Sequence, residues 1–201
     1  RVAEVVVVID QSNHTGQTVY AFAAEPARIA AAVVEFMVLA DTGEDAILSC
    51  PECHYGANVE KAETGALTAA PAWPLAAPDA PEEVDTPDQR TVDEVADFLE
   101  ISPSHLIKTL IFATDEDHVA VLIRGDLEVN EVKLKNELGC THLQLASEEK
   151  IAEITGAPQG FSGPVGLTGV RILADPTVMA LETAATGANS ADNHLVGVVP
   201  G

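Results

Sequence analysis

From about residue 84 onward, helix signals and strand signals alternate within a few residues of each other, and this limits the fold more than any other feature of the chain. Thr91-Val92-Asp93-Glu94 has the Thr-x-x-Glu form of a capping box, and Val92, Val95, Ala96 and Leu99 follow at helical spacing. Ser102 and Pro103 can cap and open a second short helix that runs to about Lys108. The β-rich runs 109–113 and 119–124 flank the turn Thr114-Asp115-Glu116-Asp117, which predicts a hairpin. Residues 131–138 read as a helix, 141–145 as a strand and 147–154 as a helix with two glutamates in its first turn, where the helix dipole favours them. A Gly/Pro loop over 156–164 leads into a predicted strand, 165–173. Asp175-Pro176 opens a helix to about Ala185, and 195–199 closes as a strand. The interleaving has no strict βαβ rhythm. It therefore predicts an α/β (α+β) domain, a mixed β-sheet with helices packed on it.

The first part of the chain is less regular. Residues 5–9 are an apolar run suited to a buried strand, 11–17 and 41–45 are turns by composition, and 27–40 is rich in alanine. Across residues 66–81, Pro71, Pro74, Pro78 and Pro81 exclude a helix or a central strand, so that stretch reads as an irregular connector around Trp73. With 47% hydrophobic residues the chain can bury a core. No apolar run reaches the roughly 18 residues of a membrane span, so no membrane role is expected. The start at Arg1 lacks the ordered features of a secretory signal, and three cysteines make no disulfide framework, so a cytoplasmic location is expected. Thirty-two acidic residues against ten Lys and Arg give a net charge of −22. Such a surface repels polyanions, so if RNA is the substrate another module must supply most of the grip.

Few motifs carry chemistry on their own. Cys50-Pro51-Glu52-Cys53-His54 matches a c-type haem attachment pattern, which requires an exported chain and an axial ligand. Cys50 and Cys53 are weak candidates for a zinc half-site, with Cys140 and His142 as the available second half. Unmetallated thiols fit a single pair better, and no cofactor is expected. There is no Gly-x-Ser-x-Gly elbow, no phosphate-binding Walker loop, no His-Glu-x-x-His and no Gly-x-Gly-x-x-Gly, and the six histidines are scattered.

Longer words go further. Residues 35–45 and 55–63 resemble bacterial prolyl-tRNA synthetase where its catalytic core leads into a large insertion. Val84-Asp85-Thr86-Pro87, Lys108-Thr109-Leu110, Arg124-Gly125-Asp126 running into Asn130-Glu131-Val132-Lys133, Gly160-Phe161-Ser162-Gly163-Pro164, and Gly187-Ala188-Asn189 with His194 resemble that insertion itself. It is the editing domain shared with the freestanding YbaK-like deacylases. The resemblance covers roughly residues 35–201 and divides the chain into an extension of unclear origin (1–34), a core-derived segment with connector (35–83) and the editing domain (84–201). The ATP-binding motifs of a class II synthetase are absent, so no proline activation is expected from this chain.

What the resemblance implies is hydrolysis of mischarged alanyl-tRNA(Pro). A pocket built for proline rejects a smaller side chain by only about 1–3 kcal/mol, so a second, hydrolytic sieve is needed. The family's site has no Ser, Cys or metal nucleophile. Backbone amides and a ribose hydroxyl hold the ester and a water, so positioning carries the rate. On this resemblance Gly160, Gly163 and Pro164 belong to the loop that presents amides to the aminoacyl carbonyl and holds its amine, with Phe161 and Ser162 against the substrate. Lys108 faces the terminal adenosine phosphate, His194 the substrate end or ribose, and Thr86 the substrate. Val92 and Val95 wall an alanine-sized pocket, and Asp126 and Lys133 fix a turn. The expected partner is the aminoacylated tRNA 3′ end, with the rest of a prolyl-tRNA synthetase supplying most of the tRNA binding. The alternative is a non-catalytic module of the same fold that binds a tRNA end or an amino acid.

Overall fold

The structure, a computed structural model, describes residues 47–49, 52, 56–58, 61–62, 70, 72–75 and 80–200. The strand expected at 5–9, the turns at 11–17 and 41–45, the alanine-rich segment, and Cys50 and Cys53 lie outside the described residues. The chain divides into two compact units, Arg1–Gly65 and Ala66–Gly201. In the first, β1 (Ile47–Ser49) and β2 (Gly56–Asn58) pair antiparallel with Leu48 opposite Ala57.

The second unit is a mixed seven-stranded sheet with helices packed on it, as expected. Its strands are β3 (Glu82–Asp85), β4 (Leu106–Ala113), β5 (His118–Arg124), β6 (Gln144–Leu145), β7 (Arg171–Ala174), β8 (Ala184–Gly187) and β9 (Asn193–Val198). They lie in the order β3-β9-β8-β4-β5-β7, with β6 added beside β4. The β4–β5 hairpin is the centre. It runs antiparallel from Ile107 opposite Arg124 to Ala113 opposite His118, and its turn is closed by Thr114 N–H donating to the Asp117 carbonyl at 2.8 Å. Parallel pairing joins β4 to β8 and β5 to β7, and the other pairs are antiparallel.

Capping chemistry starts the helices where the sequence places it. Thr91 caps α1 (Val92–Leu99): its Oγ1 accepts from Glu94 N–H, and Glu94 Oε2 accepts from Thr91 N–H at 2.9 Å. Asn130 caps α2 (Glu131–Leu138), Ser147 caps α3 (Glu148–Thr155) and Asp175 caps α4 (Pro176–Met179). Val95 and Ala96 of α1 pack with Leu106, Ala185 and Val196, and Trp73 of the connector packs against the same cluster. Ile151 of α3 covers Ile111 and Ala120, and Leu134 of α2 covers Phe112, Val119 and Val121. Among the described residues no helix is long and apolar enough to cross a membrane.

Several expectations need correction. The helix predicted up to Lys108 is a single 3-10 turn, Pro103–His105, because the chain is extended from Leu106; Lys108 is the third residue of β4 and not a helix-to-strand junction. The strand expected over 165–173 is confined to β7, since Gly166 and Gly169 turn the chain at φ +77° and +75°. The helix expected to Ala185 ends at Met179, and Ala184–Gly187 becomes a central strand between β4 and β9. The strand expected at 141–145 shrinks to β6. The edge strand β3, Glu-Glu-Val-Asp, shows little strand signal; acidic residues on an edge oppose pairing with another chain.

Replacing Thr91 with alanine removes one half of the capping box directly and frees the other. Thr91→Ala is expected to lower unfolding free energy by about 1 kcal/mol, with Thr91→Ser within a few tenths of wild type, as read from urea denaturation midpoints.

Candidate active site

A cavity of about 320 Å³ opens along the middle of β4. Val92 and Val95 of α1, Ile151 of α3, and Gly160, Ser162, Gly187 and His194 line it. Lys108, Arg90 and the half-exposed Leu145 also line it. Six of the expected site residues are therefore brought together: Val92, Val95, Lys108, Gly160, Ser162 and His194.

The remaining four stand behind the wall. Thr86 is fully buried, and its Oγ1 lies 2.7 Å from His194 Nδ1, so it reaches the cavity only through that ring. Phe161 is fully buried with its ring tilted against His194 at 5.7 Å, and the Arg90 guanidinium sits 5.7 Å from the ring centroid. Gly163 and Pro164 do not line the cavity. The Gly163 amide, assigned by the resemblance to the aminoacyl carbonyl, instead donates to Asn189 Oδ1 at 2.8 Å.

Gly163 is required by space rather than by that amide. A Cβ on Gly163 would fall 1.7 Å from the Gly187 carbonyl oxygen, and one on Gly187 would fall 2.3 Å from the Phe161 carbonyl oxygen. Loop and strand thus cross backbone to backbone. Asn189, in the left-handed region at φ +56°, staples the crossing: its N–H donates to the Phe161 carbonyl at 2.9 Å, and its Nδ2 donates to the Val165 carbonyl at 3.0 Å. Gly160 leaves the preceding turn at φ +103° and passes so close to Arg90 that a Cβ would meet the Arg90 Cβ at 3.0 Å. The amides of Gly160 and Ser162 have no protein acceptor among the described residues, and both residues line the cavity.

Charge at the site is sparse and specific. Lys108 Nζ donates to Glu128 Oε1 at 2.9 Å; the lysine side chain is 15% exposed and the glutamate 89%. Such a half-wet pair is weak and easily exchanged for another anion. His194 is 3% exposed, and burial pushes its pKa down to about 4 against a smaller opposing pull from a hydrogen bond with the Gly160 backbone. At neutral pH it is an uncharged ring. The cavity therefore offers fixed amides, one neutral imidazole and two cations, an arrangement that can hold an ester and an adjacent phosphate.

No group of three or more His, Cys, Asp or Glu side chains is placed to hold a metal among the described residues. Of the second half-site, the Cys140 thiol contacts the Lys135 carbonyl at 3.9 Å and His142 Nδ1 lies 2.7 Å from Asp115, outside the cavity. Arg124 pairs with both carboxylate oxygens of Asp126 at 2.6 and 2.8 Å, fixing the exit of the hairpin, and the Lys133 amide is held by Asn130 at the start of α2. Arg90, Glu128 and Asn189 were not singled out from the sequence, although Asn189 lies in one of the words that carry the resemblance.

The His194 ring should titrate with a midpoint near 4 by NMR. Because an unfolded histidine gains its proton near pH 6.5 while the native ring refuses it, this residue should cost stability on acidification from about pH 6.5 to 4 and have no effect above that window. His194→Gln should remove that component of the pH profile. A native midpoint at or above 6.5 would contradict the buried, neutral ring.

Comparison with known proteins gives a consistent picture. Residues 86–200 match the aminoacyl-tRNA editing domain family. The chain is 52% identical over 166 residues to a proline–tRNA ligase of Desulforamulus reducens, covering 83% of this chain and 29% of that one. It is likewise 52% identical over 167 residues to the proline–tRNA ligase of Geobacter sulfurreducens, covering 83% and 28%. It thus spans less than a third of the length of these curated relatives. Among solved structures, a hypothetical protein superposes with a TM-score of 0.53 at 28% identity, covering 58% of this chain and 79% of that one. A protein described as a candidate trans-editing enzyme for prolyl tRNA synthetase superposes at 0.52 with 20% identity, covering 57% and 74%, which supports the fold.

Proposed function

The chain belongs to the aminoacyl-tRNA editing domain family, and on that premise we propose that it hydrolyses mischarged alanyl-tRNA(Pro) as the insertion domain, or a fragment, of a prolyl-tRNA synthetase. The observation that carries this reading is the small cavity in which Val92 and Val95 face Lys108, the amides of Gly160 and Ser162, and His194.

In the proposed reaction a water attacks the ester carbonyl carbon. The bond to the ribose oxygen breaks, and alanine and a tRNA with free 3′ hydroxyls leave. The amides of Gly160 and Ser162 stand where negative charge develops on the carbonyl oxygen, and fixed donors of this kind supply much of the rate enhancement in many acyl-transfer enzymes. Neutral His194, hydrogen-bonded to Thr86 and to the Gly160 backbone, fixes the loop and packs against the ribose. Lys108 exchanges Glu128 for the phosphate of the terminal adenosine. The valine wall admits one methyl group and excludes a pyrrolidine ring. With −22 of net charge, the domain leaves most of the tRNA grip to the rest of the synthetase, in the cytoplasm, and residues 35–83 join it to that core.

The test is release of amino acid from purified tRNA(Pro) carrying either alanine or proline. The domain should hydrolyse the alanyl ester and spare the prolyl ester. Lys108→Ala should cut single-turnover deacylation by about 100-fold, because loss of the phosphate contact lets the ester shift by about 1 Å. Its melting curve should stay within about 0.5 kcal/mol of wild type. Equal release of proline and alanine would refute the sieve, and full activity in a folded Lys108→Ala would remove that lysine from the site.

A further inference from the structure

The central strand of this sheet has an uncovered stretch on one side. β8 pairs with β4 only at Leu106 and Ile107, and β6 only at Phe112 and Ala113. Two further bonds mark the boundaries: Thr186 Oγ1 donates to the Ile107 carbonyl at 3.0 Å, and Ala146 N–H donates to the Ile111 carbonyl at 2.9 Å. The Leu106 carbonyl faces the other way, accepting from Gly125 N–H at 2.7 Å on the β5 side. Backbone groups alternate sides along a strand with a period of two. Thr109 therefore turns its N–H and C=O to the same side as Ile107 and Ile111, into the stretch that no strand covers among the described residues. That stretch is lined by the cavity. The Thr109 hydroxyl oxygen is also buried there with no hydrogen-bond partner among the described residues. Unmade hydrogen bonds gathered on one residue in the middle of a sheet are uncommon, because each carries a desolvation cost.

We propose that the aminoacyl group of the substrate fills this gap as a one-residue strand on Thr109. The proposal rests on the editing reading above and adds how the amino acid is recognised. An amino acid esterified through its carboxyl keeps an α-ammonium and a carbonyl at the spacing of a peptide residue. The Thr109 carbonyl accepts from the ammonium, and the Thr109 N–H donates to the carbonyl oxygen, as in a closely hydrogen-bonded antiparallel pair. The second lone pair of that carbonyl oxygen is left for the loop amides at Gly160 and Ser162. This recognition reads the backbone of the amino acid and leaves its side chain to the cavity walls. It requires an N–H donor on the α-carbon, so an acyl ester that lacks the α-nitrogen should bind poorly.

The test uses 3′-alanylamido-3′-deoxyadenosine, an amide-linked stand-in that is not hydrolysed, titrated into the isotope-labelled full chain. Without ligand, Thr109 N–H should exchange with solvent at least about tenfold faster than those of Lys108 and Leu110, which β5 pairs. Saturating ligand should slow that exchange and shift the Thr109 resonance. The propionamido analogue, which lacks the amine, should bind about tenfold more weakly or worse, the worth of a hydrogen bond to a charged group. Thr109→Pro removes the N–H only from the uncovered side of the strand, where proline is tolerated, and should weaken binding to a similar degree. Binding that shifts His194 and Gly160 but leaves Thr109 unchanged, with the propionamide bound equally well, would overturn the proposal while leaving the editing reading intact. Failure of the wild-type chain both to bind the alanyl analogue and to cleave alanyl-tRNA would overturn both.

Discussion

The crossing of Gly163 over Gly187 is the constraint on which the site depends. With a separation that leaves no room for either Cβ, the 160–164 loop lies directly on the last residue of β8. β8 ends there, and among the described residues the side of β4 between Ile107 and Ile111 is left uncovered before β6 takes over. The same crossing brings Gly160 beside His194 and Arg90, while Asn189 holds the two segments with one backbone and two side-chain hydrogen bonds. Cavity, loop donors and imidazole are thus consequences of one close backbone contact. An added methyl group at Gly163 would have to move backbone rather than a flexible side chain, and overpacking of this kind costs on the order of 1–3 kcal/mol or more.

The electrostatics suit a reaction run by positioning. His194 is buried and neutral, so it holds its neighbours by hydrogen bonds without adding charge to the cavity. Among the described residues, the positive charge lining the cavity comes from Lys108 and Arg90. The first is held by an exposed glutamate, and the second leans on the Phe161 ring. In a chain of net charge −22 these two cations are a local exception on a surface that otherwise discourages loose polyanion binding. On the proposed reading, discrimination against a larger amino acid falls to the apolar wall, where size differences are worth only a few kcal/mol and hydrolysis would turn them into a sieve.

Local signals were legible in the sequence and nonlocal ones were not. The capping box at Thr91, the helix start at Asp175-Pro176 and the 114–117 turn each depend on residues within four positions, and each stands where expected. Ala184-Ala185-Thr186-Gly187 carries no strong strand propensity. It is a strand because β4 and β9 pair with it from both sides, so tertiary pairing overrides the predicted helix. At the site, family likeness brought Val92, Val95, Lys108, Gly160, Ser162 and His194 together, whereas Thr86 and Phe161 support the His194 ring from behind. The staple at Asn189 depends on two backbones that meet from distant parts of the chain, and the uncovered side of β4 at Thr109 depends on where β8 and β6 stop. Neither is a local signal.

If the cavity along β4 holds the aminoacyl group, its α1 wall measures the side chain, and shortening that wall is the most direct test. Deacylation of alanyl- and prolyl-tRNA(Pro) would be measured in parallel for wild type, Val92→Ala and Val95→Ala, with melting curves as the folding control. Prolyl-tRNA(Pro), spared by wild type, should be hydrolysed by at least one of the shortened variants. The ratio of alanyl to prolyl cleavage should then fall by about tenfold or more, as the removal of methyl groups from an apolar pocket allows. An unchanged ratio in folded, active variants would place the side-chain sieve somewhere other than this wall.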